Sequence, residues 1–233
     1  MEYFYSSQNL FVSFSWEHIT LLVVYVVFAG LIYFWANNYL SDQAKHILGI
    51  ALSFVPMFFV LLRMYVAYNM GEFTYLEDLP FFICRMVSFL LPIMFITRSK
   101  ALFGVLYFWI LAGTSNAVIT PDLDLGLPHF ESIFYWLIHN GLIVSILYAV
   151  FVLKWYPKRA DVWRAFWWGN AYLVSIHGLN LILGSNYSYT MHKPDGGSIL
   201  DFFGPWPLYL LTGQLLALGL FWLFYLPFIF RRN

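Results

Sequence analysis

The chain is 233 residues long, 61% hydrophobic and only 10% charged, against roughly a quarter charged in an ordinary soluble domain. So few charges cannot solvate a surface, which excludes a soluble fold and predicts an integral membrane protein. A net charge of zero removes the bulk basicity expected of a nucleic-acid binder, and a single cysteine excludes an internal disulfide or a multi-cysteine metal site.

The N-terminal MEYFYSSQNLFVSFSWEHITLL carries no Lys or Arg before its first apolar run. It lacks the basic start of a signal peptide, so that run is expected to be retained as a span. A membrane-crossing helix needs about 20 mainly apolar residues. Seven stretches meet this in chain order: 18–38, 46–69, 79–97, 101–120, 131–154, 163–185 and 205–230. Short connections with breakers such as Pro121 and Asp195-Gly196-Gly197 separate them. The expectation is one all-α domain over 1–233, a bundle of seven transmembrane helices.

Basic residues set the orientation. Lys45, Arg98, Lys100, Lys154, Lys158, Arg159, Arg164, Arg231 and Arg232 fall in alternate connections or at the C-terminus. The other connections hold Lys193 alone, with Glu2, Glu17, Glu72, Glu77, Asp78, Asp122, Asp124, Glu131, Asp195 and Asp201. The positive-inside rule then predicts an outside N-terminus, a cytoplasmic C-terminus and a multi-pass protein of the cell membrane. Arg63 and Arg85 fall inside spans.

A polar group within a bilayer is costly and faces the bundle interior or a wet cavity. At about 1.5 Å per residue, Arg63, Cys84, Arg85, Asn116, His139, His177 and Asn180 all lie about 6–12 Å below the outer ends of their spans. Helical spacing groups Pro80, Cys84 and Ser88 on one face, Ser132, Tyr135 and His139 on another, and Asn170, His177 and Asn180 on a third. The reading is an outward-facing polar cavity walled by Cys84 and the two histidines.

Each residue has a competing structural reading. A free Cys is commonly a small buried hydrophobe. A neighbouring imidazole and the Arg85 charge would instead make the thiol nucleophilic. Arg85 could equally pair with Glu77 or Asp78 as hold a phosphate. His139 and His177 could serve as interhelical hydrogen bonders. No HExxH or comparable spacing points to a metal, and no cofactor motif is present. Asp122 and Asp124 read as solvated charge rather than a calcium site. The last span contains no Lys for a retinal Schiff base.

Three stretches carry a family resemblance: LPFFIC at 79–84, SNAVITPDL…PHFESIFYWLIHNG at 115–141, and LNLILGSNYSYTMHKPDGGSILDFFGPWPLYLL at 179–211. They resemble the YwaF-type intramembrane proteins, bacterial relatives of animal polytopic proteins implicated in acyl transfer between phospholipids. The resemblance implies a membrane-embedded Cys/His pair, carried over to Cys84 through Leu-Pro-x-x-x-Cys and to His139 through His-Asn-Gly. Relatives often place a polar residue just before the Cys, where this chain has Phe82 and Ile83.

Together these readings predict an intramembrane lipid acyltransferase, or a thiol-dependent lipid hydrolase. Cys84 would form a thioester and His139 would act as general base. Arg63 and Arg85 would hold the lipid phosphate; Asn116, His177 and Asn180 would orient groups or stabilise an oxyanion. Phospholipids and lysophospholipids are the expected partners, with no nucleic acid, cofactor or metal. The rival expectation is a non-catalytic carrier or receptor for a lipid or small polar ligand in the same cavity.

Overall fold

The computed structural model describes residues 9–194 and 199–230. Glu2, the Asp195-Gly196-Gly197 turn, Arg231 and Arg232, used above for turns and orientation, lie outside these residues. The described chain is helical, with seven long helices and only one isolated strand-like bridge, between Leu10 and Leu125. They are α1 (Trp16–Tyr39), α2 (Asp42–Met70), α3 (Ile83–Thr97), α4 (Lys100–Ile119), α5 (Phe130–Phe151), α6 (Arg159–Leu183) and α7 (Leu208–Tyr225).

Five of these, α1, α2, α4, α5 and α7, are long and apolar enough to cross a membrane. The other two fall short for different reasons. Helix α6 has 25 residues but carries Arg159, Asp161, Arg164, Asn170, His177 and Asn180. Helix α3 has only 15 residues, about 22 Å against a hydrocarbon core of about 30 Å. It begins four residues later than the sequence pattern predicts, because Leu79–Phe82 form turns instead of a first helical turn.

Helix α4 is the centre of the bundle. It is buried continuously from Phe103 to Ala112, as befits a helix that is apolar all round. It packs on α6, while α2 packs on α3 and α5 and α6 packs on α7. Helix α1 is peripheral, burying only His18 and Ala36. Side chains tie it down. The Tyr33 hydroxyl donates to Val144 O at 2.7 Å, and Glu17 accepts from Leu127 N at 2.7 Å. Phe14 N–H donates to His18 Nδ1 (2.9 Å), so Nε2 carries the ring proton and donates to Val118 O (3.0 Å).

Charge divides the bundle end from end. At one end Arg98 donates to His46, Lys100 sits 3.5 Å from the Trp155 ring centroid, and Arg159 lies over Trp222. At the other, Arg63 joins Asp78 and Glu131. Alternation in the sequence has become segregation in space.

The α4–α6 contact depends on Gly104. A Cβ there would stand 2.3 Å from Asp161 Cγ. Asp161 cannot yield easily: it is buried, accepts from Lys158 N at the start of α6 and pairs with Arg164. Gly104→Ala is therefore expected to destabilise by about 1–3 kcal/mol through overpacking. Gly113→Ala, whose Cβ would meet nothing within 4 Å, should instead stabilise by up to about 1 kcal/mol by raising helix propensity. Thermal melts in detergent compare the two signs.

Candidate functional site

Cys84 is the second residue of α3. The helix has no side-chain cap at Phe82, and its first backbone bond to the preceding residues is Met86 N to Phe82 O. Among the described residues, the N–H groups of Ile83, Cys84 and Arg85 therefore donate to nothing. An uncapped first turn presents free donors and the positive end of the helix dipole. Cys84 is one of these three residues, and its Sγ lies 3.7 Å from Thr114 Oγ1. Thr114 lies five residues from the Ile119 end of α4, about 8 Å along the helix, so α3 begins within the bundle.

A non-helical chain at such depth needs protein partners for its backbone. Segment 71–82 finds them in two tyrosines. The Tyr187 hydroxyl donates to Tyr75 O at 2.7 Å and accepts from Leu79 N at 3.2 Å; the Tyr172 hydroxyl donates to Phe81 O at 2.7 Å. Burial raises the Tyr187 pKa above its ordinary value, which keeps the phenol protonated as the donor. The rings of Phe81 and Phe82 pack edge-on against Tyr187. The entry into α3 is thus clamped from α6 and the loop after it.

His139 lies on α5. Its Nδ1 is 2.8 Å from Tyr135 O. A carbonyl only accepts, so Nδ1 carries the proton and Nε2 of the neutral ring is the basic nitrogen. Nε2 makes no hydrogen bond among the described residues. The ring stacks on Tyr135 at 4.1 Å between centroids, and Tyr135 donates to Ala117 O on α4 at 2.7 Å. From that crossing, His139 is one turn deeper along α5 and Thr114 about one turn deeper along α4. Thr114 touches Cys84, so thiol and imidazole share one depth. No hydrogen bond joins Cys84 to His139.

The two arginines differ. Arg63 is committed: Nη1 meets Asp78 at 2.6 Å and Nε meets Glu131 at 2.9 Å. Both carboxylates hold it as structure, leaving little of it for a lipid phosphate. Arg85 donates to Glu77 O at 2.6 Å and lies 5.3 Å from the Phe82 ring centroid. Neither of its partners is a carboxylate, so its charge remains for an anion.

Asn180 and His177 join a different network. The Asn180 amide donates to Tyr187 O and Thr190 Oγ1, both at 2.9 Å, and accepts from Ser185 Oγ (2.7 Å) and Tyr187 N (2.9 Å). All four of its hydrogen-bonding positions are filled. His177 Nδ1 reaches the same Thr190 hydroxyl at 3.4 Å. The pair fixes the loop that carries Tyr187. Sequence reasoning placed Tyr135 on the face of His139 but missed Thr114, Tyr172 and Tyr187; only the amphipathic character of the two tyrosines hinted at them, since a buried phenol seeks a partner.

A cavity of about 280 Å³ opens beside Ile83, between α4, α6 and α7. Asn116 is on its wall, but Cys84, His139 and His177 are not. This cavity is therefore not the one expected from the sequence, which was to be walled by the thiol and both histidines. The wall on the α4 side includes part of a π-helical turn, Ile110–Thr114. Asp122 and Asp124 are exposed, and no cluster among the described residues could hold a metal ion.

Five membrane-length apolar helices define a polytopic helical membrane protein. Residues 13–225 match the sequence model of the TMEM164 family, and the chain belongs to that family. No curated protein and no solved structure matches it.

Proposed function

We propose that this protein is an intramembrane acyltransferase acting on phospholipid acyl esters, with Cys84 as nucleophile and His139 as base. The resemblance to YwaF-type proteins and their acyl-transferring animal relatives agrees with this reading. The observation that carries it is the uncapped start of α3: a thiol beside three unused backbone donors, at the depth of an imidazole with a free basic nitrogen.

The reading places all seven helices across the cell membrane, N-terminus outside, with the basic end of the bundle in the cytoplasm. An ester carbonyl enters over Cys84 from the outer leaflet. His139 Nε2 takes the thiol proton as Sγ attacks the carbonyl carbon. The N–H groups of the first turn of α3 hold the resulting oxyanion, and Arg85 faces the lipid phosphate. The ester C–O bond breaks, the lysolipid oxygen takes the proton back from His139, and the acyl chain remains as a thioester. A second lysolipid hydroxyl, deprotonated by His139, attacks the thioester and releases the thiol. Water in its place gives hydrolysis.

Purified protein incubated with phospholipid should gain one acyl mass. Hydroxylamine should remove it, Cys84→Ser should abolish it, and His139→Ala should slow lipid turnover by about 10²–10⁴-fold. No adduct, together with no turnover that depends on Cys84, would sink the enzyme reading. One observation favours a second reading, a binding protein without chemistry: the cavity between α4, α6 and α7 does not include the thiol. That reading expects ligand binding to be the same in Cys84→Ser as in the native chain.

A further inference from the structure

The cavity between α4, α6 and α7 is mostly apolar, with three amides, Asn116, Asn170 and Gln214, one from each helix; the polar atoms of Trp109 and Tyr172, also on its wall, already donate to Ala165 O and Phe81 O. No charged residue lines it. Small residues make the room. A Cβ on Gly113 or Gly213 would meet nothing within 4 Å, so both face open space.

The amides are not neutral in direction. Asn116 Nδ2 donates to Ala112 O and Asn170 Nδ2 to Phe166 O, each at 2.8 Å and each one turn back on its own helix. Each bond uses one of the two N–H groups of its amide, so each Asn keeps a single donor beside an Oδ1 that accepts no bond among the described residues. Gln214 makes no hydrogen bond among the described residues, so its amide serves as a third partner that can accept or donate. Polar groups at membrane depth without a protein partner mark a binding site.

We propose that this cavity binds a neutral amphiphile with an apolar chain and a single terminal hydroxyl, which donates to the amide oxygens. An uncharged wall with more acceptors than donors disfavours a carboxylate or phosphate, whose charge would meet no cation there. A plain alkane would fill the apolar part and leave the amides unanswered. The volume sits at the lower end for small-molecule sites, which suits one chain rather than a two-chain lipid. The site stands apart from the proposed acyl transfer, because the thiol is not on its wall.

Native mass spectrometry of the detergent-solubilised protein with 1-hexadecanol, hexadecanoic acid and hexadecane tests this. The alcohol should bind at least tenfold more tightly than either analogue. Gln214→Leu and Asn170→Leu should each reduce that preference severalfold while the melting temperature holds. Gly213→Leu, filling the space, should weaken all three ligands. Equal binding of alcohol and alkane, or tighter binding of the acid, would overturn the proposal. So would alcohol binding that survives both amide replacements. The same titration on Cys84→Ser separates the two ideas: alcohol binding there with no acyl adduct in the native chain leaves this site standing and removes the enzyme.

Discussion

Replacing Arg63 with Met is expected to cost about 3–5 kcal/mol, because it strands buried charge rather than because it removes a strong bond. The guanidinium bridges α2 to Asp78, in the segment before α3, and to Glu131 at the start of α5. Asp78 is 7% exposed and Glu131 36%, so most of the loss falls on Asp78. Its second oxygen accepts from Thr74 N, and that bond would remain as its one anchor. The readout is the melting temperature in detergent, with a fall of roughly 2–4 °C per kcal/mol for a chain of this size. The triple replacement Arg63→Met, Asp78→Asn, Glu131→Gln should recover much of the loss, since no uncompensated charge is left. If the triple variant is no more stable than Arg63→Met, stranded charge is not the cause.

The second large effect is expected at Asn180. Asn180→Leu keeps the branched heavy-atom skeleton but removes four hydrogen bonds. It leaves the Tyr187 backbone and the Ser185 hydroxyl without partners in a buried place, at about 1–3 kcal/mol for each orphaned group. The costs share one loop and will not simply add. The consequence reaches the candidate site, because the Tyr187 hydroxyl holds Tyr75 O and Leu79 N just ahead of Cys84. Proteolysis between residues 71 and 82 should therefore speed up along with the fall in melting temperature. Tyr187→Phe should speed the same proteolysis with a smaller loss of stability, as it removes the clamp and keeps the ring. Unchanged cleavage in both variants would mean the loop is held by packing alone.

These two residues also show how far a linear reading reaches. Arg63 and Asn180 were both expected at a lipid site, on the sound ground that polar groups at membrane depth are rarely idle. Both are busy, but with structure. Their partners, Glu131 at 68 positions from Arg63 and the Tyr187–Thr190 loop beyond the end of α6, are set by how helices cross. A helical wheel places a side chain on a face; it does not say which carboxylate arrives opposite.

The start of α3 carries the same lesson at higher stakes. LPFFIC is apolar enough to pass as helix, and Pro80 fits a first turn. The chain instead stays open through Phe82, because Tyr172 and Tyr187 supply the hydrogen bonds that helix formation would have supplied. Free N–H groups at Cys84 follow from that substitution, and no local propensity encodes it.

Composition, hydropathy and the alternation of basic residues are sums along the chain, and they determined the membrane class, the seven helices and the division into a basic and an acidic end. Each survives any rotation of one helix against another. What only the tertiary structure decided are the relations such a rotation would change. These are the contacts of Cys84 with Thr114 and of His139 with Tyr135, the capture of Arg63 by two carboxylates, and the opening of the cavity towards α7. Hydrogen bonds and cavities depend on angles and distances of a few ångströms between residues far apart in sequence, and those are fixed only when the helices pack.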